Sequence, residues 1–143
     1  MIPIEQYKDI LGVLPILCVD IILRHPHKGY LLVKRSNEPL KDQYWVVGGR
    51  VQKGEMLAFA AQRKLTEEIG FSVSQLSMVG IYEDQFDSNP FNLDILYHTV
   101  SVVFFADLTG EESIVLDKQS SNFIFSKTLP ERLKISQTKL FTI

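Results

Sequence analysis

A chain of 143 residues with a single cysteine, Cys18, cannot close a disulfide within itself. That excludes the disulfide-stapled secreted scaffolds and makes a reducing compartment, the cytoplasm, the expected setting. Cys18 lies in the apolar run PILCVDIIL and reads as a small buried hydrophobe. Long hydrophobic runs are missing too: no segment approaches the ~20 apolar residues of a membrane span. The opening MIPIEQYKDI carries two acids and no apolar run, unlike a secretory signal. Charge of one sign is scarce. A net charge of −2 offers no broad basic surface for nucleic acid, although a local patch is compatible with it. Repeats, low-complexity tracts and linkers are absent, so residues 1–143 are expected to form one domain. What is present is a 45% hydrophobic content, enough for a packed core.

The Val-, Ile- and Leu-rich stretch Leu14 to Arg24 predicts a buried strand, preceded by a short helix over Ile4 to Leu11. HPHKG turns the chain into a returning strand, Tyr30 to Lys34. After the polar SNEPLKDQ, Tyr44 to Val47 predicts a short strand. Leu57, Ala58, Ala61 and Leu65 recur at helical spacing and predict an amphipathic helix over Glu55 to Ile69. Gly70 follows where a left-handed cap is wanted, and Glu55 falls in the first turn. Strands are expected at Ser77 to Gln85 and Leu96 to Asp107, with DSNPFN turning between them. Shorter strands are expected at Ser113 to Leu116 and Phe123 to Phe125, and Pro130 opens a closing helix. Strands on both sides of one long helix predict an α/β (α+β) fold, a mixed β-sheet sandwiched between helices.

Charged residues gather at the end of that helix. Arg63 and Glu67 are four apart, as are Lys64 and Glu68. The ordinary reading is two surface ion pairs, each contributing only about 0.3–0.5 kcal/mol. The rival reading is a cation site, because Mg²⁺ takes oxygen ligands from one or two carboxylates, waters and substrate phosphates. In that reading Gly48 and Gly49 form a loop whose backbone carbonyls approach the ion unobstructed.

Gly49, five residues, Glu55, seven residues, Arg63, then Leu65, Glu67, Glu68, Gly70 and Phe71 resemble the Nudix box. That pattern is Gly-x5-Glu-x7-Arg-Glu-x-x-Glu-Glu-x-Gly followed by an apolar residue. Lys64 stands where the box has a glutamate directly after the arginine. The resemblance implies the Nudix fold and hydrolysis of nucleoside diphosphates linked to another group. It also implies Mg²⁺, or Mn²⁺, held by the glutamates. A lysine cannot ligate a metal in its charged form, so fewer ions, or weaker binding, are expected.

The stretch KRSNEPLKDQYWVVGGRVQKGE is similar to the GDP-mannose mannosyl hydrolase branch, which also departs from the box at this position. In that branch water attacks the anomeric carbon of the sugar and nucleoside diphosphate leaves. The resemblance implies metal ligation by the Gly48 carbonyl, Glu68 and Gln119. It implies substrate binding by Asp20, Arg35 and Arg50, with Arg35 facing the diphosphate at the reacting end and Arg63 orienting the cluster. A homodimer packed through the leading residues Met1 to Leu11 is implied as well.

Three positions depart from the branch. Ser120 stands where it has a histidine base, Asp84 replaces a second histidine, and Glu67 stands where the branch usually has alanine, offering a second metal contact or a group that activates water. Asp84, Glu112 and Asp117 are candidates for the vacant role, while His98, Trp45 and Tyr44 have ordinary packing explanations. Three readings follow: a nucleotide-sugar hydrolase attacking carbon, a pyrophosphatase attacking phosphorus, and a nucleotide-binding module without turnover.

Overall fold

In the computed structural model, which describes residues 2–118, 120–135 and 139–140, β1 (Ile16–His25) is the strand around which the rest is arranged. It lies beside β6 (Tyr97–Asp107) in parallel and beside β2 (Gly29–Arg35) and β4 (Val47–Arg50) antiparallel. The sheet runs β3 (Tyr44–Trp45), β2, β1, β6, β5 (Ser77–Phe86), β8 (Lys139–Leu140), with β4 paired to β1 and β7 (Ser120–Ser126) to β2. Every pairing except β1–β6 is antiparallel, so the sheet is mixed as expected.

Alternation along β1 assigns its side chains to different neighbours. Val19, Ile21 and Leu23 pack under α2 (Leu57–Ile69) with its Ala60, Ala61, Leu65 and Ile69. On the opposite face Ile22 joins Trp45, Val103 and Leu133, the last from α3 (Glu131–Ile135). Cys18 and Ile16 meet Tyr7 and Leu11 of α1 (Ile4–Val13). Both faces are therefore covered, which is why this strand reads as a nearly continuous hydrophobic run. Leu65 and Ile69 are fully buried, and each contributes about 1.5–3 kcal/mol through that burial. The two alanines let α2 sit close to the sheet. Among the described residues no helix is long and apolar enough to cross a membrane.

Three local expectations are corrected. The helix begins at Leu57 rather than Glu55, because residues 52–55 close a turn first: Glu55 N–H donates to the Gln52 carbonyl, and Gln52 N–H to the Glu55 carboxylate, both at 3.0 Å. Gly48 and Gly49 are not loop residues but the middle of β4, opposite Asp20 and Val19. Glycine is required there by close approach. A Cβ at residue 48 would strike the Asp20 carboxylate and the Val19 carbonyl, and one at residue 49 would strike the Lys64 side chain. Finally, Ser113 to Leu116 is extended but joins no strand. Val115 N–H donates to the Ile69 carbonyl at 3.0 Å and Asp117 N–H to the Glu68 carbonyl at 3.2 Å. The segment satisfies carbonyls that the end of α2 leaves open, instead of extending the sheet.

Candidate active site

The last two turns of α2 carry Arg63, Lys64, Glu67 and Glu68, and Arg63 organises the group. Its Nε and Nη2 grip both oxygens of Glu55 at 2.6 and 2.9 Å, Nη2 also donates to the Arg50 carbonyl at 2.9 Å, and Nη1 reaches Glu67 at 3.2 Å. The paired hydrogen bonds from Arg63 hold the Glu55 carboxyl down, to about 2. So the arginine fastens the turn after β4 to the helix and also reaches Glu67. Glu67 is half-exposed. Burial pulls its pKa up, but the Lys64 and Arg63 cations more than offset that, and the carboxyl lies below its usual range.

Glu68 is different. It is only 7% exposed, and burial pushes its pKa up to about 7, with Lys64 opposing the rise and Asp117 adding to it. Asp117 is near because its backbone is bonded to the Glu68 carbonyl. Gly48 meets Glu68 through its amide N–H, which donates to Oε2 at 3.4 Å.

These groups border a cleft of about 700 Å³ whose walls include Arg35, Arg50, Arg63, Lys64, Glu68 and, from α1, Tyr7. An adjoining pocket of about 110 Å³ shares Arg35, Gly48, Gly49, Arg50 and Tyr97 with it and is floored by Asp20, Thr99 and Ser101. Asp20 is buried. Loss of solvent raises its pKa to about 6, against the Ser101 hydroxyl bond, the Arg35 charge and a Trp45 bond, which all favour the carboxylate. Arg35 is fixed by an Nε bond to the Pro39 carbonyl at 2.7 Å. Arg50 lies over the Tyr7 ring at 5.7 Å.

Of the expected site residues, Asp20, Arg35, Gly48, Arg50, Arg63 and Glu68 line these two adjoining pockets, Glu67 stands beside them on α2, bonded to Arg63 and Lys64, and Gln119 lies outside the described residues. Asp84 is engaged elsewhere, by Arg132 and the Tyr82 hydroxyl. Glu112 accepts from the Thr109 and Gly110 amides. His98 pairs with Glu83 at 2.9 Å, the satisfied strand histidine its position suggested. Cys18 is a buried thiol pushed up to about 12 by burial and the nearby Asp20. Thr99 and Ser101 were not singled out from the sequence. Their signal was the period-two alternation of Tyr97, Thr99, Ser101 and Val103, which turns two hydroxyls to a buried face.

The NUDIX domain pattern matches residues 14–134. The chain is 32% identical over 120 residues to the low-salt glycan biosynthesis protein Agl8 of Haloferax volcanii, covering 84% of this chain and 76% of that one. It is 36% identical over 98 residues to an ADP-ribose pyrophosphatase of Methanocaldococcus jannaschii, covering 68% of this chain and spanning about half, 54%, of that protein. In three dimensions it resembles a MutT NUDIX hydrolase from Burkholderia pseudomallei with a TM-score of 0.66 at 20% identity, over 85% of this chain and 94% of that one, a likeness of fold.

Proposed function

Because the chain belongs to the NUDIX family, whose members imply hydrolytic activity and in general a Mg²⁺-dependent mechanism, we propose that it hydrolyses a nucleoside diphosphate joined to a sugar. The observation that carries this reading is the pairing of unlike ends in one connected space. Arg35, Arg50 and Lys64 supply cations on its walls, and a buried carboxylate, Asp20, lies at its floor. A diphosphate fits the first, since guanidinium groups bind phosphate oxygens by paired hydrogen bonds. A sugar or base rich in hydroxyl or N–H donors fits the second, since an ionised carboxylate only accepts. ADP-ribose, in the name of one relative, is a molecule of this class.

In this reading Arg35 and Arg50 hold the diphosphate, Asp20 orients the sugar or base, and Arg63 positions Glu67. Glu67, charged and half-exposed, accepts the proton of the attacking water. Attack at the anomeric carbon, as in the mannosyl hydrolase branch, expels the diphosphate that the arginines stabilise. Attack at phosphorus is the second reading, favoured by the pyrophosphatase name of a relative.

A divalent ion held between Glu67 and Glu68 does not fit the cluster as arranged, because the Lys64 ammonium engages both carboxylates; Gln119, the further expected ligand beside the Gly48 carbonyl, lies outside the described residues. The proposal further takes the 143 residues as one cytoplasmic domain. It takes them to pair as a homodimer through the leading residues 1–11, where Ile4 is an exposed apolar residue. Sedimentation tests the dimer.

The function is tested by incubating the protein with nucleoside diphosphate sugars in ¹⁸O-labelled water. Label in free sugar with release of nucleoside diphosphate is the expected result. Label confined to phosphate moves the reaction to phosphorus, and no product from any substrate, with nucleotide bound, makes the chain a binding module.

A further inference from the structure

Lys64 is the residue the family pattern does not account for, and its surroundings give it a use. Its Nζ lies 3.2 Å from Glu67 Oε2 and 3.3 Å from Glu68 Oε1, bridging the two carboxylates. Its side chain is only 12% exposed, unlike a solvated surface pair. Its methylenes lie against the backbone of Gly49, where a Cβ would displace them. It therefore reaches into the cleft wall that also holds Arg35, Arg50 and Arg63.

Charge gives the same answer. An acid at this position would leave the box with four carboxylates against one guanidinium, an excess that calls for added cation. With lysine there are three carboxylates, Glu55, Glu67 and Glu68, against two fixed cations, Arg63 and Lys64. The exchange changes the cluster by two units of charge, the amount one divalent ion carries. Asp117, the remaining acid facing Glu68, is common to both cases.

We propose that the Lys64 ammonium stands in the cluster where a divalent ion would, as a tethered cation against which the ligand's diphosphate binds. This rests on reading the cleft as a diphosphate site. Lysine is a recognised phosphate partner, acting as a point charge where arginine acts as a fork. The same oxygens cannot hold both the ammonium and a metal, so affinity for diphosphate becomes nearly independent of added metal. The substitution supplies binding charge and fixes Glu67.

The test uses ADP and Mn²⁺ as separate probes. Calorimetry with ADP in EDTA should give the wild type an affinity within about threefold of that in Mg²⁺, and Lys64→Gln an affinity at least about tenfold weaker in EDTA. Lys64→Glu should lose binding in EDTA and regain it with Mg²⁺. Paramagnetic resonance with Mn²⁺ alone should show a bound ion in Lys64→Glu that Lys64→Glu/Glu68→Gln loses, and none removable by Glu68→Gln in the wild type. Circular dichroism checks that each variant is folded, and Lys64→Arg, which keeps the charge, should retain most ADP binding in EDTA. A wild-type Mn²⁺ site that Glu68→Gln abolishes overturns the inference, as does Lys64→Gln binding ADP in EDTA like the wild type. If the wild type binds no ADP under any condition, the diphosphate reading fails, and the Mn²⁺ comparison still decides whether Lys64 takes the ion's place.

Discussion

Glu68 and Asp20 are both buried carboxylates in adjoining pockets, yet they are accommodated by different means. Glu68 has an ammonium 3.3 Å away and stands in a cluster whose charges largely cancel one another. Asp20 is surrounded by the Ser101 hydroxyl and the Trp45 indole, with Arg35 acting on it only through space. One site is saturated from within the protein, while the other keeps acceptor capacity for a ligand. Burial raises both pKa values, because desolvation exceeds what partners return. The comparison sets one buried carboxylate paired to a cation of the chain against another held by neutral hydrogen-bond donors.

The contrast can be broken or sharpened in four ways. The largest effect is expected from Glu67→Gln, which keeps the shape of the side chain and removes the base. Turnover should fall by about a hundredfold or more, measured as kcat on whichever nucleotide sugar is cleaved, with the melting temperature little changed. A variant retaining most activity would return Glu67 to the role of an ordinary ion-pair partner.

Next is Arg63→Ala. It strips Glu55 of both its strongest bonds and frees the Arg50 carbonyl, so urea denaturation should show a loss of about 3 kcal/mol. Arg63→Lys should recover only part of this, since an ammonium cannot span two oxygens of Glu55 and a carbonyl together.

A smaller effect comes from pH on Asp20. Its folded pKa of about 6 is above the ordinary aspartate value of 3.8, so between those values the native state binds more protons than the unfolded chain. The stability that protonated Asp20 contributes is fully present below the unfolded pKa and is lost as pH rises through about 6. Ligand-free protein should lose melting temperature from this source between about pH 4 and 6, and Asp20→Asn should flatten the profile. An unchanged slope in the variant would show that Asp20 is ionised throughout.

The smallest is Asp107→Asn. Its pair with Arg24 at 2.9 Å is exposed on both sides, so the urea midpoint should hardly move. It is the control for the buried cluster, where breaking the ion pairs is expected to matter far more.

Much of this architecture was legible in the residues. The apolar run of β1, the helical stripe of α2 and the spacing of Gly49, Glu55, Arg63, Glu67 and Glu68 depend on local periodicity, and the structure keeps them together. Other features depend on contacts distant in the chain and were not. Gly48 and Gly49 read as a loop, because only their register against Asp20 and Val19 explains glycine in a strand. Ser113 to Leu116 has the β-branched look of a strand, but its amides are drawn to the end of α2. Asp84 looked available until Arg132, 48 residues away, was seen to hold it. The inner pocket was missed because Thr99 and Ser101 are unremarkable strand residues until Asp20 is placed beside them.

The account turns on which cation meets the diphosphate. A crystal grown with ADP and Mn²⁺, its anomalous difference density measured at the manganese edge, puts that question most directly. The expected map has diphosphate against Lys64, Arg35 and Arg50 and no anomalous peak between Glu67 and Glu68. A peak bridging those two carboxylates, with the Lys64 side chain turned out of the cleft, would contradict it.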